Sequence, residues 1–304
     1  MPMTYETVDV FTDTAFGGNP LAVVFGGEHL TTEAMQAIAR EFNCPETTFV
    51  MPPKDGANTG HVRIFTPGVE LPFAGHPNVG TATVLARRGE AFGRPVGDAV
   101  RFEEAIGTVG LEILREAGQA VGAVLTSPSL PTVRGSFDPS AVAAAVGLAD
   151  SAVVVARHAP AHVAIGATFV IAEVADLDAL AAARSDAAAQ VAHLGEAAPP
   201  LVYLYTREDA GPDDTGPGTL RIRSRMFAPR AGIPEDPATG GAAVAIAGLF
   251  ATLFEGDLDL TIEQGIEMGR PSRLDVRIVR GAGDPRITVA GRCVAMLRGT
   301  LLAG

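Results

Sequence analysis

The chain has 304 residues, which exceeds the usual size of one compact core, so we expect two domains. It is 47% hydrophobic and 19% charged, which is typical of a globular protein with a large core, and no apolar run approaches the roughly 18 residues of a membrane span. The net charge of −12 argues against a nucleic-acid partner, because a phosphate-binding surface needs clustered Lys and Arg.

The amino-terminal sequence MPMTYETVDVF lacks the basic region and apolar stretch of a secretory signal, so we expect a cytoplasmic protein without a membrane partner. Lys54 is the only lysine, and it lies in the segment MPPKDGAN, which is typical of a surface loop. Schiff-base enzymes need a lysine amine beside the substrate or a pyridoxal cofactor. Covalent catalysis of this kind is therefore not expected.

The cysteines and histidines give no pattern of metal ligands. Cys44 and Cys293 are too few for a disulfide scaffold, and we interpret them as small buried residues, with a nucleophile as the alternative. His158 and His162 have the i,i+4 spacing of a helical chelate, but Pro160 lies between them and no carboxylate is near. We predict no metal site.

Strands and two helices alternate in the first part of the chain. The segments ETVDVFT, LAVVF, TTFVMP and HVRIFTP are predicted to be strands. A helix follows the second of them, with Thr31 or Thr32 placed to cap it and an end at Asn43. A second helix is predicted over 74–88, because a proline at its start suits the first helical turn.

The later part repeats this alternation. Strands are predicted at VRFEEA, TVGLEIL, GAVLTSP, LVYLYT, TLRIRSRMF, RLDVRIV and RITVAGRCVAML, and helices over 138–146, 176–194 and 239–254. The loop 208–218 has the composition of a mobile segment. A composition shift near residue 120 predicts domains at 1–120 and 121–304, with residues 293–304 packing back onto the first.

An internal repeat links the two halves. Phe65–Pro67 matches Phe227–Pro229 at an offset of 162, and the pattern P-x-x-G-x-A that begins at Pro77 recurs from Pro237 at an offset of 160. Each copy ends at a predicted helix start, where free backbone N–H groups and the helix dipole favour an anion. The repeat therefore predicts two carboxylate-binding helix starts.

A polar residue precedes the proline in each copy, His76 in the first and Asp236 in the second. Both can take part in chemistry at the helix starts, and the alternative is that they only cap the helices. No phosphate-binding glycine loop is present, because Thr81 and Ala82 follow Gly80 where Lys and Ser or Thr are required. Nucleotide cofactors therefore have no support in the sequence.

Glu46 lies directly after the first predicted helix and before an apolar strand. A carboxylate at such a junction is either exposed and idle, as Glu usually is, or partly buried. Partial burial raises the pKa of a carboxyl group, which suits it to take and return a proton near neutral pH. The position alone leaves both readings open.

Four segments, taken together and in this order, closely resemble the phenazine biosynthesis (PhzF-like) isomerase family. They are Gly18-Asn-Pro-Leu-Ala-Val, Glu46-Thr-Thr-Phe, Phe65-Thr-Pro with Glu70-Leu-Pro-Phe-Ala-Gly-His-Pro, and Glu235-Asp-Pro-Ala-Thr-Gly. The resemblance runs from about Val8 to the C-terminus. It implies an α+β fold like that of diaminopimelate epimerase, with two similar domains, each a curled, mostly antiparallel sheet or barrel around a central helix, and an active site in the cleft between them.

The resemblance also implies an activity. Glu46 would be the acid/base of a cofactor-independent isomerase that moves a proton on a small cyclic or amino-acid-like carboxylate, and His76 and Asp236 would be its polar partners. Gly75, Asn78, Gly240 and Gly241 are the expected substrate-binding residues. A homodimer is implied as well, with no metal and no organic cofactor.

Two positions depart from the family's pattern. Asn78 stands where the family usually has Thr after Gly-His-Pro, and Gly241 stands where it usually has Ser after Asp-Pro-Ala-Thr-Gly. A hydroxyl donor lost from the anion pocket costs roughly 1–3 kcal/mol when nothing replaces it. We expect this loss to change substrate preference more than it weakens the chemistry.

Two other functions remain open on the same fold. A racemase or epimerase would use two opposed cysteines at the helix starts, but Cys44 and Cys293 lie elsewhere. A ligand-binding homologue without activity would have no need for the acid/base residues Glu46, His76 and Asp236. Both alternatives are less well supported than an isomerase.

Overall fold

The computed structural model describes residues 3–199, 201–208 and 218–302, so most of the predicted mobile loop 208–218 lies outside the described residues. The chain divides into two compact units. The first unit runs to Pro128 and takes in the residues from Ala290 on, and the second unit spans Ser129–Val289. The predicted boundary near residue 120 falls inside a strand, and the units divide eight residues later, after Pro128.

The described residues form strands and α-helices in the following order. The earlier elements are β1 (Thr4–Val10), β2 (Asn19–Phe25), α1 (Thr32–Phe42), β3 (Glu46–Met51), β4 (Gly60–Phe65), β5 (Glu70–Leu71), α2 (Gly75–Arg88), β6 (Glu90–Ala91), β7 (Arg94–Pro95), β8 (Ala99–Glu104), β9 (Gly107–Glu116) and β10 (Gln119–Thr126). The later elements are β11 (Thr132–Ser136), α3 (Pro139–Ala145), β12 (Val153–Val154), β13 (Ala161–Ile165), β14 (Ala167–Val174), α4 (Leu177–Ala182), α5 (Ala187–Leu194), β15 (Leu201–Arg207), β16 (Thr219–Ala228), β17 (Ile233–Asp236), α6 (Gly240–Leu253), β18 (Leu258–Gln264), β19 (Ser272–Val279) and β20 (Arg286–Thr300).

The first unit is a closed ring of eight strands. Neighbours pair in the order β1, β2, β3, β4, β8, β9, β10 and β20, and β20 pairs again with β1. The pairs β2–β3 and β4–β8 are parallel, which requires long crossover connections, and α1 provides the first of them. The C-terminal strand β20 thus completes the ring that the N-terminal strand β1 begins.

Helix α2 fills the interior of this ring. Its first twelve residues, 75–86, are all buried, and it packs against β1, β2, β9 and β10. Gly80 allows the close approach, because a Cβ there would lie 2.5 Å from Leu21 Cδ2 and 2.8 Å from Val10 Cγ2. At the far end, Arg87 donates hydrogen bonds to the carbonyl oxygens of Ala120 and Cys293, on β10 and β20.

The second unit repeats this plan around α6. Its strands pair in the order β11, β13, β14, β15, β16, β18 and β19, and the pairs β14–β15 and β16–β18 are again parallel. Helix α6 packs against β13, β14 and β19 and is buried over most of its length. None of the helices in the described ranges combines the length and the apolar character needed to cross a membrane.

Most of the predicted helices are confirmed, but the prediction of one helix over 176–194 is wrong. The chain forms α4 and α5 instead, because Ala183 adopts an extended conformation and ends the first helix. Asp186 then starts a new helix, where its carboxylate accepts hydrogen bonds from the backbone N–H groups of Ala188 and Ala189.

The first part of the predicted repeat, the match of the two Phe-x-Pro segments, corresponds to equivalent structure in the two units. Arg63 binds Glu70 through Nε and Nη2, and Arg225 binds Glu235 through the same two nitrogens. In each unit the arginine also lies over the ring of the phenylalanine two residues later. The offset of 162 at the Phe-x-Pro segments therefore aligns corresponding strands.

The second part of the predicted repeat, the alignment of the two P-x-x-G-x-A patterns at an offset of 160, is wrong. Helices α2 and α6 begin at Gly75 and Gly240, an offset of 165, because the loop between the paired strands is three residues longer in the second unit. His76 therefore corresponds to Gly241, the second residue of its helix, and not to Asp236. The match of the two P-x-x-G-x-A patterns is coincidental.

Candidate active site

Glu46 is the first residue of β3, directly after the turn that leaves α1. That turn begins at Asn43, which has the left-handed conformation (φ 52°) that lets a helix end without steric strain in an Asn. Strand β3 is buried along its whole length and runs parallel to β2, so Glu46 is aligned with Leu21. Glu46 itself is only 9% exposed, which excludes the reading of an idle surface carboxylate.

His76 is the second residue of α2 and contacts Glu46. The distance between His76 Nε2 and Glu46 Oε2 is 3.1 Å, and both side chains are largely buried. The imidazole also donates a hydrogen bond to the backbone carbonyl of Pro20 on β2. Because Nε2 faces Glu46, this second bond belongs to Nδ1.

Burial lowers the pKa of His76 to about 3, and the bond to Pro20 opposes that shift only in part. The ring is therefore neutral at physiological pH, with its proton on Nδ1 and a lone pair on Nε2. An ionised Glu46 would place a negative oxygen against that lone pair. The contact is favourable when one proton lies between Glu46 and His76. The arrangement is therefore chemically able to hold a proton and to release it.

The first turn of α2 leaves backbone N–H groups available. Its N-cap residue, Ala74, has no side chain that could accept a hydrogen bond from them. Asn78 lies one turn into the helix, and its Nδ2 donates to the Ala74 carbonyl oxygen at 2.9 Å. Gly75 at the first helical position carries no side chain over these N–H groups, so a carboxylate can approach them closely.

Asp236 ends β17 in the second unit, just before α6. Thr239 Oγ1 donates a hydrogen bond of 2.6 Å to Asp236 Oδ2. Gln264, at the end of β18, donates to the Asp236 carbonyl oxygen at 2.8 Å and to Thr239 Oγ1 at 3.0 Å. Asp236 is 7% exposed and Gln264 is fully buried, so the segment that precedes the helix is held firmly.

Sequence reasoning did not find Thr239 or Gln264 as site residues. Thr239 had a signal, since a Thr directly before a glycine-rich helix start is a common N-cap. Here its hydroxyl is bound to Asp236 and makes no cap bond to the helix. Gln264 has no such signal, because a Gln at a strand end has no characteristic spacing.

Gly240 and Gly241 are the first two residues of α6, as predicted for the second anion site. A Cβ at Gly241 would lie 3.5 Å from Phe169 Cζ, which is ordinary van der Waals contact. The position therefore has room for a side chain, and glycine is not required there by packing.

The cysteines are placed unfavourably for a two-base racemase. Cys293 is buried on β20, and burial raises the pKa of its thiol to about 11. Cys44 precedes β3 and is half-buried, two residues before Glu46. Neither lies at the start of α2 or α6. No three His, Cys, Asp or Glu side chains come together in a metal-binding group in the described part of the chain.

Similarity to known proteins extends over nearly the whole chain. The family profile described as "Phenazine biosynthesis-like protein" matches residues 8–299. An uncharacterized isomerase of Mesorhizobium japonicum is 38% identical over 98% of both chains, and the trans-2,3-dihydro-3-hydroxyanthranilate isomerase of Pseudomonas fluorescens is 33% identical over 98% of this chain and 99% of its own length. The crystal structure of a PhzF-family protein of Bacillus anthracis superposes with a TM-score of 0.83 at 24% identity, covering 99% of this chain and 100% of that one.

The relatives and the fold define the protein as an isomerase with an α+β architecture of the diaminopimelate-epimerase type. The chain belongs to the phenazine biosynthesis-like protein family. The family and fold predicted from the sequence motifs are thereby confirmed. The assignment of individual site residues stays a prediction, and the geometry described above is what supports it.

Proposed function

We propose that this isomerase moves a proton on a small cyclic or amino-acid-like carboxylate by general acid/base catalysis, without a cofactor, and that Glu46 carries the proton. The contact between Glu46 Oε2 and His76 Nε2 is the observation on which the proposal rests. A buried carboxyl group beside a neutral imidazole can release a proton and take it back with little solvent reorganisation.

The proposed reaction begins with the substrate bound and Glu46 ionised beside the neutral His76, which is the less favourable state of the contact and makes Glu46 a stronger base. Glu46 removes a proton from a carbon next to an unsaturated system and returns it at another carbon of that system. When Glu46 carries the proton, His76 Nε2 accepts a hydrogen bond from the carboxylic acid, and the ring stays neutral with Nδ1 bound to Pro20. The number of protons is unchanged by the cycle, as an isomerisation requires.

The start of α2 at Gly75 is proposed to bind an anionic group of the substrate, because its backbone N–H groups carry the partial positive charge of a helix N-terminus. Within the second unit, Gly240 and Gly241 at the start of α6 are proposed as substrate-binding residues on the same ground. Asp236 is proposed as a polar partner for groups on the substrate, since Thr239 and Gln264 fix its position. Asn78 is proposed to shape the pocket near Gly75.

The relatives suggest a substrate to test first. Those named trans-2,3-dihydro-3-hydroxyanthranilate isomerase are 33–35% identical to this chain, and we propose a related cyclic amino acid here. The departures at Asn78 and Gly241 favour a substrate that differs in its polar groups. The expected homodimer and the cytoplasmic location remain predictions.

A racemase on the same fold is the second candidate. Proline racemase-like and hydroxyproline epimerase structures share the fold, but their low identity to this chain supports nothing more. A thiol raised to a pKa of about 11 is a poor base at neutral pH, and Cys293 lies outside the helix starts. One-base proton transfer by Glu46 therefore accounts better for the residues present.

The test is proton exchange in D₂O, followed by NMR. Native protein, Glu46→Gln and the surface control Glu41→Gln are incubated with a panel of cyclic and amino-acid carboxylates that includes trans-2,3-dihydro-3-hydroxyanthranilate. Deuterium in one rearranged product with native protein and Glu41→Gln, but not with Glu46→Gln, is the expected result. Equal exchange by Glu46→Gln would show that another residue is the base.

A further inference from the structure

Glu104 and Gln264 occupy the same position in the two units. Gln264 pairs with Ser224 across the parallel strands β18 and β16. In the first unit, Glu103 pairs with His61 across β8 and β4, so the next position sets Glu104 beside Val62. Val62 and Ser224 are related by the offset of 162 that aligns the strands β4 and β16, and Glu104 is therefore the counterpart of Gln264.

Gln264 shows what this position does in the second unit. Its amide makes three hydrogen bonds, all to the segment before α6: to the carbonyl oxygen of Asp236, to Thr239 Oγ1, and from the Thr239 N–H to Oε1 at 3.3 Å. A neutral side chain that both donates and accepts can satisfy such a segment without burying a charge. Gln264 is a positioning residue for Asp236.

Glu104 lies at the start of α2 in the same way, but it has a carboxyl group. It is 9% exposed, and its polar neighbour is the side chain of Asn78. Asn78 Nδ2 donates one of its two hydrogens to the Ala74 carbonyl, which leaves its second N–H and Oδ1 for Glu104. Within the described residues, Asn78 Oδ1 and both oxygens of Glu104 are buried without an aligned hydrogen bond.

The burial of these atoms favours the neutral form of Glu104. A carboxylate here would be a buried charge whose two oxygens both lack an aligned hydrogen bond, and it would leave Asn78 Oδ1 without a donor, which costs free energy. A carboxylic acid can donate its O–H to Oδ1 after a small rotation, and it then has the same donor and acceptor pattern as the amide of Gln264.

We propose that Glu104 is held as a neutral carboxylic acid and positions the first turn of α2, through Asn78, so that His76 stays opposite Glu46. The effect on the reaction rate rests on the proposed function, but the structural role does not. Ionisation of Glu104 removes the O–H donor and loosens this turn. Glu104 is thus a positioning residue, and it makes the site sensitive to alkaline pH.

The surroundings of Glu104 support this protonation state. Burial raises its pKa to about 8, and the neighbouring Asn78 amide reduces that shift. The charged or titratable side chains of the flanking strands, His61 and Arg63 on β4 and Glu112 on β9, occupy positions that alternate with the buried ones. Glu103 accepts hydrogen bonds from the backbone N–H groups 54 and 55. The titratable group on the same helix turn as Asn78 is His76.

The structural test follows the ring of His76 by NMR in protein with ¹³C-labelled histidine, with the signal assigned by loss in His76→Asn. In the native protein we expect the signal to shift between pH 7 and 9 with a midpoint near the pKa of Glu104, about 8. Glu104→Gln should remove this shift, and Gln264→Glu should leave it in place. A native signal that does not move, or one that moves equally in Glu104→Gln, would overturn the proposal.

The kinetic test uses the substrate found in the exchange screen. Glu104→Gln should keep its rate above pH 8, where the native rate falls, whereas Glu104→Leu should lose about 10-fold or more in kcat with little change in KM. A native-like rate in Glu104→Gln together with a reduced kcat in Glu104→Leu would show that a hydrogen-bond donor at this position is what the reaction needs. An alkaline fall in rate that persists in Glu104→Gln would overturn the link to catalysis, and an inactive native protein would contradict the proposed function while the NMR result still stands.

Discussion

His76 Nε2 lies 3.1 Å from Glu46 Oε2, although the two residues belong to different elements 30 positions apart. The contact arises because α2 begins inside the ring of strands at the level where β3 begins. The orientation of the ring is fixed on its other side, where the Pro20 carbonyl oxygen on β2 accepts a hydrogen bond from Nδ1–H. Three separate elements, β3, α2 and β2, thus set the geometry of this carboxylate–imidazole contact.

Glu46→Gln tests the role of this pair in the reaction. Glutamine keeps the size and the buried hydrogen-bonding capacity of the side chain but cannot take up a proton. We expect kcat to fall by about 10²–10⁴-fold with an unchanged circular-dichroism spectrum, because that is the usual contribution of a general acid/base. The assay is turnover of the substrate identified by deuterium exchange.

Glu41→Gln is the matched control, since Glu41 lies exposed on α1 five residues away. It should retain the native kcat and the native unfolding temperature. A loss of activity in both variants would mean that the change acts through stability or net charge, and an active Glu46→Gln protein would exclude Glu46 as the base.

The lowered pKa of His76 predicts how the free energy of unfolding changes at acid pH. An unfolded His binds a proton below pH about 6.5, whereas the folded ring stays neutral until its pKa of about 3. Below pH 6.5 the unfolded state therefore binds more protons than the folded state, and stability falls as the pH is lowered. The loss is up to about 1.4 kcal/mol per pH unit in this window.

His76→Asn should remove this contribution. Urea unfolding of native and variant protein at pH 7.5 and pH 5 measures it, and the native protein should lose about 2 kcal/mol more than the variant between these values. A parallel loss in both proteins would mean that the folded ring is protonated in this range.

Much of the fold was predictable because the signals were local. The start and end of α1 followed from Thr31 and Asn43, and α6 was predicted from the apolar run after Thr239. The break between α4 and α5 was not predictable, since an Ala-rich sequence favours helix throughout. It depends on Ala183 leaving the helix and on a new cap at Asp186, which are set by packing.

The sequence led to a proposal for the site residues, but it could not predict the geometry of the site. Motif resemblance identified Glu46 and His76, yet nothing in the sequence shows that a carbonyl of β2 fixes the imidazole tautomer. The P-x-x-G-x-A repeat gave the wrong alignment of the two halves, because glycine and alanine match easily by chance. Glu104 and Gln264 carried no signal, since their equivalence exists only in the strand registers.

Gly241→Ser tests whether this position controls substrate preference. The family usually has a serine here, and a Cβ would meet only the ring of Phe169, with Cζ at 3.5 Å and Cε2 at 4.0 Å, so the variant should fold normally. An added hydroxyl at the start of α6 can donate to a substrate carboxylate. We expect KM for trans-2,3-dihydro-3-hydroxyanthranilate to fall by about 10-fold, which corresponds to one hydrogen bond to a charged group.

Gly241→Ala is the control for this substitution, because it adds the Cβ without the hydroxyl. It should leave KM close to the native value. If alanine and serine lower KM equally, the effect comes from packing against Phe169 and not from a new donor.

Replacing Arg63 or Arg225, the equivalent arginines of the two units, should lower the free energy of unfolding by different amounts. Arg63 and Arg225 make the same two-nitrogen contact with a glutamate, but the Arg225 side chain is only 10% exposed. Its Nη1 also donates to the carbonyl oxygens of Leu180, Ala181 and Ala183. The Arg63 side chain is 21% exposed, and that of its partner Glu70 is 36% exposed. Water can therefore replace many of the hydrogen bonds that Arg63 makes, but few of those that Arg225 makes.

Arg225→Met should lower the free energy of unfolding by about 3–5 kcal/mol, since it leaves Glu235 and three carbonyl groups, two of them in buried hydrogen bonds, without their partner. Arg63→Met should cost about 1 kcal/mol, in the range of solvent-exposed ion pairs. Chemical denaturation of the two variants, each followed in parallel with the native protein, measures the difference. Equal losses would show that the carbonyl contacts of Arg225 contribute nothing beyond the ion pair that both units share.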